Sequence, residues 1–557
     1  MKSINILLFI LALLGFTSCE DDFLTKVPLD SPSSVTFFSN ETELDMALNG
    51  AYRQLYWHSY SVPYQLWLDT STDIAWARGD FGGMLAVQGG QFTTETPVFG
   101  TIWAHMYEGI ARANNIMDNM ERSKNVVSAE KLLKVEAEAK FLRSYFYFYL
   151  INLYGDVPWV DHMLNLEEAK IPKTSKSEIL KNLYKDLDFA AENLPSTRSA
   201  AEKGKVTKGA ALTLKARAAL LAGDYEIAAS DAKKVMNLGI YKIYPDYGKL
   251  FQYKGTGSEE VIMEMQYHSD VFSTAIPRYL ANREPGGFSV LIPTQTLVDM
   301  YASSDGLPID ESPLYDPSKP FKNRDPRLNQ SILLPGEWFN GLLFQTHPDS
   351  TRTYKQTASG MRRVPNPEVT NAFATFTGYL WNKYLDESDI PGKLTQSTLS
   401  VMMMRYAEVL LTYAEAKIEL NQIDQSVIDA INLVRGRQSV QMPLVSMGMS
   451  QPDLRKLVRY ERTIELALEG FRLFDIRRWK YAEHVMPGNV LGRRKKAHWY
   501  DPIVPNINEY RHPVYSNETE IFQIISVNHF DPAKHYLWPI PQSEIDLNPE
   551  LKQNLGY

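Results

Sequence analysis

Apolar residues recur at three- and four-residue steps over several stretches of the chain, the spacing of one helical face. From Ile102, the residues Met106, Ile110, Ala113, Met117 and Met120 keep that step and predict a helix. Glu130–Tyr154 predicts a longer one, with Gly155 and Pro158 as stop signals. Its second half, Tyr145-Phe146-Tyr147-Phe148-Tyr149, is aromatic on nearly every face. A helix apolar all round is expected to pack between others. Residues 177–194 and 206–238 predict further helices. Within the latter, Leu220-Leu221-Ala222-Gly223-Asp224-Tyr225-Glu226-Ile227-Ala228 reads as a turn between two helices, with small residues where they cross. That pattern resembles a tetratricopeptide unit. A second such pair is predicted at Tyr406–Asn421 with Gln425–Arg437.

Other segments lose this periodicity. Residues 277–400 hold 13 of the 31 prolines, which disfavours long helices and favours ordered loops with short strands. The segment 57–100 is similar: Trp57, Tyr60, Tyr64, Trp67, Trp76 and Phe81 lie among Gly, Ser, Thr and Asp. Long loops on a rigid scaffold commonly carry function.

A further helix is expected from a cap at Asp453 to about Trp479. Glu461, Glu465 and Glu469 form an i, i+4, i+8 ladder on it. Like charges at that spacing repel unless compensated. Arg459, Arg462, Arg472 and Arg477 are near in sequence, and Arg405 or Arg435 can reach from neighbouring helices. Paired carboxylates also serve glycoside hydrolysis. No histidine sits three residues after any of these glutamates, so a Glu-x-x-His metal site is excluded. A structural ion network is expected.

Composition narrows the function. The 557 residues carry 58 Lys+Arg against 66 Asp+Glu, a net charge of −8, which argues against nucleic-acid binding. A single cysteine excludes an internal disulfide and thiolate zinc clusters. That residue, Cys19, follows Lys2, an apolar run from Ile6 to Phe16, and Thr17-Ser18. Residues 1–18 read as a secretion signal, since the run is too short to span the ~30 Å hydrocarbon core. Cys19 is placed as in a bacterial lipobox, with Phe16 where leucine is usual. Acylation there would anchor the chain to a membrane without spanning it. Residues 19–40 are expected to be an acidic surface tether, beginning Glu20-Asp21-Asp22, and residues 41–557 one domain. Catalytic signatures are missing: no His-Glu-x-x-His, Gly-x-Ser-x-Gly, Walker loop or complete Gly-x-Gly-x-x-Gly occurs. The cluster Arg493-Arg494-Lys495-Lys496 is expected to be a solvated loop.

Several motifs carry a family resemblance. They are Arg405-Tyr406-Ala407-Glu408-Val409-Leu410-Leu411 with Tyr413-Ala414-Glu415-Ala416, then Glu461-Arg462 and Glu465-Leu466-Ala467-Leu468-Glu469-Gly470-Phe471-Arg472. Asn323-Arg324-Asp325-Pro326-Arg327-Leu328 and the ending Leu537-Trp538-Pro539-Ile540-Pro541 to Gly556-Tyr557 agree in order. The chain resembles the SusD/RagB family of outer-membrane lipoproteins along the whole mature length. The resemblance implies a mostly α-helical fold, with tetratricopeptide-like helix pairs as a superhelical scaffold and a large loop-rich part. It implies no catalysis; no cofactor and no metal-ligating residues are expected. It implies a cell-surface protein over a SusC-like TonB-dependent transporter, capturing oligosaccharides, or peptides in the RagB branch.

The shared motifs are scaffold motifs, so ligand residues are sought in the loops around 57–100 and 239–400. A sugar binder needs exposed aromatic platforms and charged or amide groups for hydroxyls. Trp76 with Asp73 and Arg78, Trp338, and Tyr279 with Arg283 fit that composition. Trp76→Ala and Trp338→Ala are expected to weaken ligand binding without lowering the melting temperature much. Trp103, Trp159, Trp479 and Trp538 are expected in the core. A peptide ligand, a pure interaction scaffold and an anchored hydrolase stand as alternatives.

Overall fold

The computed structural model describes residues 37–557. The expected signal, Cys19 and most of the acidic tether lie outside the described residues. Helix α1 (Glu41–Tyr52) starts where the Asn40 side chain accepts from the Glu43 amide, satisfying one of the orphan donors of a helix start. Helix α2 (Pro97–Asn119) opens on a proline, whose missing N–H costs nothing there. Helix α3 (Ala129–Leu153) is capped by Ser128, and every residue from Phe141 to Leu153 is buried. The aromatic run is enclosed as its all-round apolarity predicts. Arg143, two residues before the aromatic run, reaches Asp186 at 2.7 Å on α4 (Lys176–Asn193).

The segment 206–238 forms α5 (Lys208–Ala222) and α6 (Tyr225–Asn237). Gly223 turns between them with φ 82°, a conformation open to glycine at no steric cost. Helices α7 (Tyr406–Glu419) and α8 (Gln425–Arg435) form the second expected pair. Neighbours pack in series, α2 on α3, α3 on α4, α4 on α5 and α5 on α6, and α6 then packs on α7. The fold is mostly α, and its helix pairs adjoin even where about 170 residues of loop lie between them in the chain.

Beyond α8 the expected long helix is two. Ser450, not Asp453, is the cap, accepting from the Asp453 amide, and α9 runs Gln451–Glu465. Helix α10 (Arg472–Arg478) follows after a turn in which Leu468 and Gly470 have φ of 62° and 80°. A Cβ at Gly470 would stand 2.7 Å from the Gln65 carbonyl oxygen. Close approach of the 64–71 segment therefore demands both glycine and the break.

The glutamates of the ladder are buried and fully paired. Glu461 meets Arg327 and Arg435 at 2.5 and 2.8 Å. Glu465 meets Arg327, Arg405 and Arg437 at 2.7–2.9 Å. Glu469 meets Lys383 and Arg405. Burial alone would raise the Glu465 carboxyl, but these guanidiniums hold it well below the usual range. Of the expected partners only Arg405 and Arg435 serve. Arg459 and Arg462 turn to Glu419 and Asp475, Arg472 turns to Asp73, and Arg477 donates to the His535 carbonyl.

The loop-rich part carries short strands in two-stranded ladders and one four-stranded antiparallel sheet spanning Trp338–Pro365. Two ladders place the candidate residues. Strands His58–Ser59 and Val62–Pro63 pair as a hairpin, and Ala75–Ala77 pairs with Leu291–Pro293.

Candidate functional site

The second ladder brings the 57–100 and 239–400 regions together. Trp76 lies opposite Ile292 in it, and the Arg78 amide donates to the Val290 carbonyl. The strand thereby delivers Arg78 beside the short helix Ile276–Leu280, which carries Tyr279, and the loop after it, which carries Arg283. The Phe288 carbonyl oxygen accepts from Arg78 at 3.0 Å and from Arg283 at 3.3 Å. The Arg78 guanidinium also lies 5.0 Å from the centre of the Phe373 ring, a cation–π distance. Burial, and the neighbouring Arg283 charge, lower the Arg78 pKa. The Arg283 amide donates to the buried Glu368 carboxylate, whose pKa burial raises to about 7.

Rings surround these cations. Tyr279 packs edge-on against Trp67, Phe81 and Phe288 at 5.6–5.9 Å. Phe81 in turn meets Tyr60 at 5.4 Å. Tyr60 and Ser61 form the two-residue loop of the first hairpin, with φ of 51° and 59°. Asn-Gly is the favoured pair for such a type I′ loop, so Tyr-Ser here is strained. The strained turn holds Tyr60 60% exposed, while Phe373 is 57% exposed. Gly82 permits the approach beneath them, since a Cβ there would fall 2.6 Å from the Trp67 ring. The result is a surface of tyrosine and phenylalanine faces with guanidiniums set among them.

The six expected residues divide. Arg78, Tyr279 and Arg283 converge on this surface. Tyr279 is buried beneath it, so it supports the exposed rings rather than offering a platform. Trp76 is 4% exposed, stacks on Phe376 at 5.5 Å, and donates to Ser526. The expectation that it forms an exposed platform is corrected, because the ladder and the 367–378 segment enclose it. The Asp73 carboxylate is taken by Arg472, at 2.6 and 2.8 Å, inside the core. It is therefore not free for hydroxyls. Trp338 is 41% exposed on the four-stranded sheet. No ring contact joins it to the cluster among the described residues, although the Glu284–Lys355 pair ties that sheet to the Arg283 loop. Trp103, Trp479 and Trp538 are buried, and Trp159 is partly buried against Tyr147.

Tyr60 and Phe81 stand among the loop aromatics of 57–100 but not among the six expected residues, and Phe288 and Phe373 are not marked by loop composition at all.

The chain is similar to known proteins over most of its length. Residues 250–557 match the model of the SusD family, and residues 22–220 match one described as starch-binding associating with outer membrane. A SusD-like protein, P2, of Formosa agariphila is 26% identical over 98% of each chain. A SusD-like carbohydrate binding protein from Bacteroides fragilis superposes with a TM-score of 0.81 at 30% identity, covering 93% of this chain and all of that one. A second SusD-like protein from Bacteroides fragilis gives 0.77 at 24% identity, over 96% of this chain and all of its own.

Proposed function

The chain belongs to the SusD family, and we propose that it binds oligosaccharides on the face formed by Tyr60, Phe81, Phe288, Phe373, Arg78 and Arg283. Membership carries no catalysis. The observation behind the reading is Arg78, gripped between the Phe288 carbonyl and the Phe373 ring in the midst of exposed aromatics. Sugar rings offer apolar faces to aromatic side chains and hydroxyls to guanidiniums, and bonds from a charged donor are about twice as strong as neutral ones. The similar Bacteroides fragilis protein is named a carbohydrate binder, which supports the same ligand class here. In this reading Trp338 is a second contact at the edge of the face. Cys19 is the lipid attachment site at the outer-membrane surface, and the captured glycan passes to a SusC-like TonB-dependent transporter.

Titration of the purified chain against oligosaccharides and peptides tests the ligand class. Saturable heat with a glycan, lost in a Phe373→Ala, Arg78→Ala double variant, is the expected result. Binding of peptides alone would replace the glycan with a peptide. Copurification of a large β-barrel with the detergent-extracted protein tests the transporter.

A further inference from the structure

The segment 367–378 touches the proposed face through Glu368 and Phe373. Through Thr377 and Gly378 it also touches a separate cavity of about 220 Å³. A water's share of liquid volume is about 30 Å³, so the cavity has room for a group the size of a sugar ring.

Three guanidiniums line it: Arg324, Arg493 and Arg494. The basic cluster expected to be solvated is split. Lys495 and Lys496 are exposed, while Arg493 and Arg494 end the strand Gly488–Arg494 at the cavity wall. All three arginines are held by backbone carbonyls. Arg324 donates to Tyr301, Pro320 and Val298. Arg493 donates to the Glu368 carbonyl, and Arg494 to those of Asp501 and Ile503. Among the described residues none of them forms an ion pair with a carboxylate. Arg324 is buried and Arg493 and Arg494 are half-buried. Most buried arginines elsewhere differ, since Arg327, Arg405, Arg437, Arg462 and Arg472 each meet a carboxylate at 2.6–3.1 Å, while Arg477, like these three, is held by a carbonyl. Carbonyls fix a guanidinium's direction but leave its charge uncompensated, and charge is costly away from water unless balanced. Asp299 in the lining acts on Arg324 and Arg494, and Glu368 behind the wall acts on Arg493, but burial raises both carboxyls toward the neutral form, so neither fully balances its guanidiniums. Asp299 accepts from Tyr515 at 2.6 Å and Gln295 at 3.0 Å.

The walls are aromatic. Tyr315 lies under the Arg324 guanidinium at 5.4 Å, and Phe321, Tyr379 and Trp499 add apolar faces. Tyr500, 79% exposed and stacked on His347 at 5.3 Å, forms the rim. Aromatic faces with oriented guanidiniums match a ring that bears an oxyanion, since the guanidinium fork fits planar and tetrahedral anions alike.

We propose that this cavity is a subsite for an acidic sugar, receiving the carboxylate of a uronic acid or the sulfate ester of a sulfated sugar. The inference rests on the reading of the chain as a glycan binder and adds the charge class of its ligand. It is tested by titrating the full chain with an array of oligogalacturonides, sulfated galacto-oligosaccharides and neutral laminari-oligosaccharides of equal length. At least one acidic class binds about tenfold tighter than the neutral series, and the advantage shrinks from 50 to 500 mM salt as paired charges are screened. Arg494→Gln and the rim variant Tyr500→Ala each lose about tenfold for the acidic probe, with neutral binding within about twofold of wild type. Oligogalacturonide binding alone identifies the carboxylate, and sulfated binding alone identifies the ester. Neutral probes bound as well as acidic ones, or acidic binding unchanged in both variants, overturns the inference and leaves the glycan reading standing. Binding of no glycan at all overturns both.

Discussion

Arg78 and Arg283 donate to a single acceptor, the Phe288 carbonyl oxygen, at 3.0 and 3.3 Å. Two cations brought this close repel each other, and the Arg283 charge adds to burial in lowering the Arg78 pKa. A hydroxyl or oxyanion of a ligand relieves that repulsion, which makes the pair more favourable in the bound state than in the free one. Arg78→Gln is therefore expected to weaken glycan affinity by about tenfold, or ~1.4 kcal/mol. Its stability changes by less than about 1 kcal/mol, the lost hydrogen bond being offset by the relieved repulsion. Arg78→Lys does not restore affinity, since an ammonium lacks the planar fork that lies over Phe373. Calorimetric titration beside a thermal melt reads both effects, and unchanged affinity would move the site away from Arg78.

Trp76 and Trp338 should part company. Trp76 is stacked on Phe376 and hydrogen-bonded to Ser526 inside the fold. Trp76→Ala removes a packed ring and costs about 3–5 kcal/mol of stability. Trp338 is substantially exposed, so Trp338→Ala changes stability by within about 0.5 kcal/mol. Denaturant midpoints of the two variants check this. Equal, small losses in both would mean that Trp76 is not a core residue.

What the sequence disclosed follows from the range of each interaction. Helical periodicity is set by neighbours three and four residues apart, so α2, α3, α4 and the α7–α8 pair are legible in it. The break at Leu468–Gly470 is not, because its cause is the Gln65 backbone, about 400 residues away in the chain. The glutamate ladder announced an ion network, but two of its cations, Arg327 and Lys383, come from segments that only the fold brings near. The site shows the same division. Arg78 and Arg283 stand out in polar, glycine-rich loops. Whether a nearby ring is exposed depends on partners such as Phe376 and Ser526 for Trp76, which no local pattern reveals.

Glu368 supplies a pH dependence with a definite sign. Burial raises its carboxyl from an ordinary 4.5 to about 7. Between those values the folded protein holds a proton that the unfolded chain releases. Stability from this group is thus fully present below about pH 4.5 and falls as pH rises toward 7. At about 1.4 kcal/mol per unit the loss is on the order of 3 kcal/mol. Glu368→Gln keeps an acceptor for the Arg283 amide and removes the titration. The variant is expected to gain on wild type as the buffer goes from pH 5 to pH 8. Urea unfolding at both values measures the difference, and parallel curves would contradict the assignment.

Glu461 decides between scaffold and catalysis for the charged helix. Its carboxylate lies wholly inside the protein between Arg327 and Arg435. Truncating one member of such a buried network leaves charges without partners and costs about 3–5 kcal/mol. Glu461→Ala should therefore unfold at markedly lower urea concentration than wild type. Arg435→Met combined with Glu461→Gln should recover part of the loss, because removing opposite charges together leaves less charge uncompensated. Neither wild type nor variant should release sugar from a polysaccharide, since the carboxylate meets no solvent from which a water or a glycosidic oxygen could approach. A Glu461→Ala protein that kept its stability but lost a measurable hydrolysis would reverse the assignment and make the ladder an active site.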